Sequence, residues 1–193
     1  YLDLRGSRAD TFVRNAVAAT GAALAAGLFN VKRGRGIHRP ALAIPVPVPS
    51  HPVTFLDVGA NTEVRAEHLV QFAFMGAALS SVVLGVAHPR VGLLSNGEEP
   101  TKGTALVQEV HARLAAVDGL TWVGNVEGTD LTSGKADVIV TDGFTGNVLA
   151  KGLEGAATMV TDVLLAALAA DAAAAVQVAA TIVAETTVTA RGA

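Results

Sequence analysis

Three apolar runs in this chain end in the same way, and that repeated ending restricts the fold more than any other feature. Val53 to Leu56 stops at Asp57-Val58-Gly59-Ala60-Asn61, Val91 to Leu94 at Ser95-Asn96-Gly97-Glu98-Glu99, and Val138 to Thr141 at Asp142-Gly143-Phe144-Thr145-Gly146-Asn147. Short runs of Val, Leu, Ile and Phe cut off by glycine and amides read as buried strands. After the first, Leu69, Phe72, Ala73, Gly76, Leu79 and Val83 recur at helical spacing over Ala66 to Leu84, with Gly85 as a C-terminal stop. After the second, Leu106, Val107, Val110 and Leu114 line one face of a helix predicted from Gly103 to Ala116. A further short strand, Leu120 to Val123, leads to a loop over Gly124 to Asp130. Strands alternating with helices predict a three-layer α/β/α sandwich on a mainly parallel sheet. In such sheets ligands sit outside the carboxyl ends of the strands. The polar loops are therefore expected to converge on one cleft.

Composition narrows the class. A length of 193 residues suits one domain, and the whole chain is read as a single α/β domain with an Ala-rich helical tail from 166 to 193. Hydrophobic residues make up 51% of the chain but aromatics only 4%, a small-residue richness that fits helices packed closely on a sheet. A net charge of −3 offers no basic field, so nucleic acid is not expected as a partner. Cysteine is absent, which excludes a disulfide framework, a thiolate metal site and a thiol nucleophile, and fits a reducing cytoplasm. Asp3, Arg5, Arg8 and Asp10 break up the first residues, so no signal peptide is read there. Val163 to Val183 is the most apolar long stretch, but Asp171 and Gln177 interrupt it and alanine dominates it, so it reads as helix and not as a membrane span.

Upstream of the first strand, Ala16 to Phe29 reads as a helix with Gly21 and Gly27, followed by a basic cluster of Lys32, Arg33, Arg35, His38 and Arg39. Lys32 and Arg33 suit a solvated helix end, where cations favour the negative pole of the dipole, and Arg39 before Pro40 is the functional candidate. Pro45, Pro47 and Pro49 forbid a helix and predict an extended edge or linker. His51 and His88 precede prolines as loop residues, while His68 and His111 lack partners at ligand spacing, so no metal site is expected.

Glycine loops before helices raise nucleotide binding first. Gly128 to Lys135 resembles a phosphate loop, but it has one residue too many between its glycines and Ala136 where Ser or Thr belongs, and no Gly-x-Gly-x-x-Gly follows a strand. What remains is a set of amides (Asn61, Asn96, Asn125, Asn147), carboxylates (Asp57, Glu98, Glu127, Asp142), glycines and Lys102 near a helix start. Amide N–H groups at a helix N-terminus with an adjacent lysine suit a phosphate-like anion. Each Asn or Asp taken alone is equally well a turn former or helix cap.

These residues also carry a family resemblance. Leu56 to Asn61, Glu67-His68-Leu69, Pro89 to Leu94, Gly124 to Gly128, Asp142 to Asn147, Gly27-Leu28-Phe29 and Gly36 to Ala43 together resemble the PlsX family of phosphate acyltransferases, over roughly Arg8 to Leu165. The resemblance implies a homodimer with a sheet like that of isocitrate and isopropylmalate dehydrogenases. It implies conversion of acyl-[acyl carrier protein] and inorganic phosphate to acyl phosphate and free carrier protein, without a cofactor or metal, by a cytoplasmic enzyme that associates peripherally with the inner face of the membrane. By the same resemblance Lys102 grips phosphate or the oxyanion and Asn147 donates as an amide. Asp142 and Asp57 orient the loops, and Gly59, Asn61, Glu98, Asn125, Glu127 and Gly143 line the substrate. Of the family's upstream glycine-asparagine segment only Thr20, Gly21 and Ala22 match, so Thr20 and Gly21 are its binding candidates. Two alternatives stay open: phosphotransacetylase-like transfer between acyl-CoA and phosphate, and an inactive relative that binds carrier protein.

Overall fold

The computed structural model describes residues 36–48 and 52–191, with side chains to 171 and that of Gln177. Strands β1 (Ala43–Val46), β2 (Val53–Leu56), β3 (Arg90–Leu94), β4 (Thr121–Val126) and β5 (Val138–Val140) form one sheet in the order β1-β2-β5-β3-β4. The last four positions in that order are parallel neighbours. β1 is antiparallel to β2 on the outside, Ala43 opposite Leu56 and Val46 opposite Val53. Pro45, with no N–H to give a ladder, is tolerated there because among the described residues β1 has a neighbour on one side only. β5, the last strand in sequence, enters the middle: Val138 pairs with Thr54 on one side and Val91 on the other.

Side-chain alternation sends each strand's residues to two separate cores. Leu56, Val91, Leu93, Val138 and Val140 face α1 (Ala66–Leu84) and α2 (Ala105–Ala115), meeting Leu69, Phe72, Ala73, Val110 and Leu114. Val53, Phe55, Leu94, Val126 and Ile139 face the opposite way, under Leu131 of the 3-10 turn Gly128–Leu131 and Leu149 and Ala150 of α3 (Gly143–Arg191). A sheet covered on both faces explains why its central strands read as mostly apolar runs without strict alternation. Close packing of α1 depends on Gly76, where a Cβ would lie 2.6 Å from Val138 Cγ1.

The chain divides into two compact units, Tyr1–Lys151 and Gly152–Ala193. The first holds the sheet and the opening turns of α3; the second is the remainder of that helix. α1 and the Gly143–Asp171 part of α3 are long and apolar enough to cross a membrane by length and composition alone. For α1 that apolarity is explained by the sheet it covers. Along α3, Phe144, Val148, Met159, Val160, Val163, Leu164, Leu165 and Leu168 are exposed.

Three boundaries differ from the sequence reading. Helix α2 starts at Ala105, because Thr104 caps it by accepting the Val107 N–H on its hydroxyl at 3.3 Å. β4 continues to Val126, so Asn125 is a strand residue and not a loop residue. An irregularity explains the miss: Val91 pairs with Trp122 but Gly92 with Gly124, whose φ of 93° lets the strand absorb one extra residue. The expected third loop, Gly143 to Asn147, is helix from its first residue. The predicted helix over Ala16 to Phe29, the candidates Thr20 and Gly21, the basic residues Lys32, Arg33 and Arg35, and His51 lie outside the described residues.

Candidate functional site

The carboxyl ends of β2, β5, β3 and β4 lie along one edge of the sheet, as parallel pairing requires. The loop after β2 is built on Asp57, which is fully buried. One carboxylate oxygen accepts the N–H groups of Leu42 and Ala60, each at 3.0 Å, and the other accepts the backbone N–H of Asn61 at 2.8 Å and its Nδ2 at 2.7 Å. The Asn61 amide also donates to the Pro40 carbonyl at 2.7 Å, and Arg39 Nη1 donates to the Glu63 carbonyl at 3.0 Å. Asp57 and Asn61 are thus spent on tying the segment before β1 to the loop after β2. Arg39, the functional candidate of the basic cluster, does the same from the surface.

The start of α3 closes against that loop. The Asn61 carbonyl accepts the Gly143 N–H at 2.7 Å, and a Cβ on Gly146 would fall 1.9 Å from the Asp57 carbonyl oxygen. Asp142 caps the helix: Oδ1 accepts the Phe144 and Thr145 N–H groups at 3.0 and 2.8 Å, and Oδ2 accepts the Thr145 hydroxyl at 2.7 Å. Gly146 N–H bonds back to the Asp142 carbonyl at 2.9 Å. The amides that a helix N-terminus ordinarily offers an anion are therefore already used here. Asn147 remains exposed, its side chain 3.7 to 3.8 Å from where a Cβ on Gly59 would stand.

The β3 and β4 ends make a second group. Glu99-Pro100-Thr101-Lys102 is a turn, with proline where the turn wants φ near −65° and the Lys102 N–H bonded to the Glu99 carbonyl at 3.0 Å. Gly103 N–H is accepted by Asn96 Oδ1 at 2.8 Å. Among the described residues, no group accepts the Ala105 and Leu106 amides in the first turn of α2, unlike those of α3, and Lys102 is exposed just before them. Opposite charge and open amides coincide here, so α2 offers an anion what α3 does not. β5 separates β2 from β3, so the two loop groups stand about 10 Å apart, two strand spacings.

Other candidates are engaged elsewhere. Glu98 pairs with Lys135 Nζ at 2.7 Å, and Lys135 also reaches Asp130 at 3.5 Å. The interaction of its ammonium with the Glu98 carboxylate, against the cost of burial, holds the lysine above its ordinary range. Burial would raise the Asp130 carboxyl, but the Glu127 N–H, Ser133 and Lys135 outweigh it and bring it below the usual value. Glu127 opens the 3-10 turn, its N–H donated to Asp130 at 2.9 Å. Asn125 is buried near the end of β4, donating to the Glu99 carbonyl at 2.9 Å.

Sequence spacing missed one cluster. His38, Glu67 and His68 bring potential metal-ligand atoms within 4.8 Å of one another, because the segment before β1 folds over the start of α1. His68 is buried, with Nδ1 accepting the Arg65 N–H at 3.2 Å. That acceptor role puts the proton on Nε2. A metal-bound imidazole instead directs its other N–H at an acceptor, so the geometry fits a helix cap better than a metal ligand. Burial first, then the charges of Arg39 and Arg65, hold the imidazole below its ordinary pKa.

A family model described as "Fatty acid synthesis protein" matches residues 3–189. The phosphate acyltransferase of Lacticaseibacillus casei strain BL23 is 47% identical over 166 residues, covering 86% of this chain and 48% of that protein. That of Streptococcus equi subsp. zooepidemicus strain H70 is 49% identical over 151 residues, 78% of this chain and 45% of the relative. That of Bacillus licheniformis is 52% identical over 139 residues, 72% of this chain and 42% of the relative. The chain spans about half the length of the curated relatives it matches.

Proposed function

The chain belongs to the fatty acid synthesis protein family of PlsX-type phosphate acyltransferases, and we propose that it carries the phosphate-handling core of such an enzyme. A phosphate oxygen attacks the thioester carbonyl of acyl-[acyl carrier protein], the C–S bond breaks, and acyl phosphate and the carrier thiol leave. Phosphate at neutral pH is already an anionic nucleophile, so the protein has to supply position and charge, not a Ser-His pair.

The observation that carries this reading is the exposed Lys102 on a hydrogen-bonded turn, directly before first-turn amides of α2 that no described residue accepts. A point charge and aligned N–H groups suit both the phosphate and the oxyanion that develops on the thioester carbonyl. Asn147, on the neighbouring loop group, is the amide donor of the proposal. The exposed apolar residues of α3 support peripheral attachment at the inner face of a membrane or pairing with a second copy, as in the homodimer the resemblance implies.

The test is a hydroxylamine trap for acyl phosphate, run with long-chain acyl carrier protein and phosphate and again with acyl-CoA. Phosphate-dependent hydroxamate from the carrier substrate supports the proposal. Preference for CoA moves it to a transacetylase-like transfer, and product from neither substrate overturns it.

A further inference from the structure

We propose that Asn125 and His111 are positioning residues for Lys102, linked to it through the carbonyl of Glu99; the proposal rests on the reading of Lys102 as the phosphate-gripping cation. The Glu99 carbonyl accepts two hydrogen bonds: the Lys102 N–H at 3.0 Å, which closes the turn, and Asn125 Nδ2 at 2.9 Å. A carbonyl has two lone pairs, and both are used. The first bond shapes the turn, and the second anchors it to β4.

Asn125 cannot rotate freely in this role. It is 2% exposed. Because the Glu99 carbonyl can only accept, the amide must face it with nitrogen, which turns Oδ1 toward His111 Nδ1 at 2.9 Å. The ring must donate there, so the Nδ1 proton is fixed in the neutral imidazole and is kept when the ring is charged. The ring is itself placed by α2 and by an edge-to-face contact with Trp122 on β4, centroids 5.5 Å apart. His111, Asn125, Glu99 and Lys102 thus form one path from the helix surface to the turn.

Neighbouring contacts fix the rest of the loop, and among the described residues none engages the lysine head. Gln108 Nε2 donates to the carbonyls of Thr101 at 2.7 Å and Gly103 at 3.2 Å. Gly97 lies under the lysine stem, where a Cβ would stand 2.7 Å from Lys102 Cγ. An ammonium on a confined stem loses less freedom when it meets its anion, which is the condition for useful electrostatic preorganisation. Asn125, expected from sequence to bind substrate, has both ends of its amide occupied and holds the ligand's partner instead.

The experiment is hydrogen exchange of the Lys102 amide in the full chain, compared with β3 and β5 amides in the same sample, for Asn125→Asp, His111→Leu and His111→Asn. Asn125→Asp keeps shape but sets an oxygen against the Glu99 carbonyl. His111→Leu keeps apolar contact and loses the donor, whereas His111→Asn restores a donor close to the Nδ1 position. Exchange at Lys102 is expected to rise about tenfold in the first two, with β3 and β5 unchanged, and to return toward wild type in the third. In turnover the KM for phosphate rises in the first two while that for the acyl carrier does not. Lys102 exchange unchanged in both Asn125→Asp and His111→Leu overturns the proposal, and should Asn125→Asp unfold the chain, His111→Leu decides alone. Wild-type protein that makes no acyl phosphate would sink the functional reading but leave the exchange result standing.

Discussion

Replacing Gly146 by alanine gives the sharpest test of how the site is assembled, because two physical effects of opposite sign compete. Gly146 lies within α3. On helix propensity alone, alanine there would stabilise the protein by about 1 kcal/mol. The added Cβ would, however, stand 1.9 Å from the Asp57 carbonyl oxygen and 2.9 Å from Thr141 Cγ2. Carbon-oxygen contacts settle at about 3.3 Å, so something must move by roughly 1.4 Å. Asp57 is a poor candidate to yield, being fully buried, bonded through its N–H to the Thr141 carbonyl at 3.0 Å, and gripped by Leu42, Ala60 and Asn61. Overpacking of this kind costs about 3 kcal/mol, the upper part of its usual range. The net loss is about 2 kcal/mol, or a Tm lower by about 4–8 °C for a chain of this size. Thermal unfolding followed by circular dichroism measures it, with Gly152→Ala as the control. No heavy atom of the described residues lies within 4 Å of a Cβ at Gly152, so there alanine should raise stability by about 1 kcal/mol and Tm by a few degrees. A Gly146→Ala protein as stable as wild type, or more so, would refute the claim that α3 touches the β2 loop through bare backbone.

Three further outcomes are expected. Lys102→Ala should lower turnover by well over tenfold while leaving unfolding stability within about 0.5 kcal/mol of wild type, since the residue is exposed; unchanged kcat/KM removes it from the mechanism. His68 has a depressed folded pKa against an ordinary 6.5, so the unfolded chain binds the proton more readily and stability is lost as pH falls through 6.5 toward the folded value. Denaturant midpoints between about pH 7.5 and pH 5 should therefore slope less in His68→Asn, and an equal slope would show that another group is responsible. Asp137 accepts Arg90 Nε at 3.0 Å, Nη2 at 2.9 Å and the Arg90 N–H at 2.7 Å, so Asp137→Ala should cost about 2–3 kcal/mol in urea unfolding; a loss below about 0.5 kcal/mol would count against that ladder-end clamp.

How much of this was legible depends on whether the deciding interaction is local. The apolarity of Val53 to Leu56, broken only by Thr54, and of Val138 to Val140 marks strands buried on both faces, and proline in Ala43–Val46 marks an edge, because each signal lies in the strand itself. Strand order does not. Nothing in Val-Ile-Val states that β5 enters between β2 and β3, since three β-branched residues fit any central position equally well. The extension of β4 through Asn125 was hidden for a related reason: a bulge at Gly92 and Gly124 lengthens the strand without changing its composition. His38 and His68 are thirty positions apart in sequence, and only the fold of the segment before β1 brings their rings to 5.9 Å.

The polar residues at the strand ends pose the harder case, because ligand binding and loop building call for the same residue types. Hydrogen-bond capacity separates them. Asp57 accepts four bonds, Asp142 accepts three, and Asn125 uses both ends of its amide, so these side chains are consumed by the fold. Glu98 is offset by Lys135. A residue whose capacity is filled within the protein can bind a ligand only by giving up bonds of about 1 kcal/mol each, more where a charge is involved. Lys102 and Asn147 are exposed at the same sheet edge, and the described residues hold neither ammonium nor amide in such a bond. Substrate chemistry at this edge is therefore predicted to fall on the two side chains the loops do not need, with the filled residues acting on it only through the backbone they hold in place.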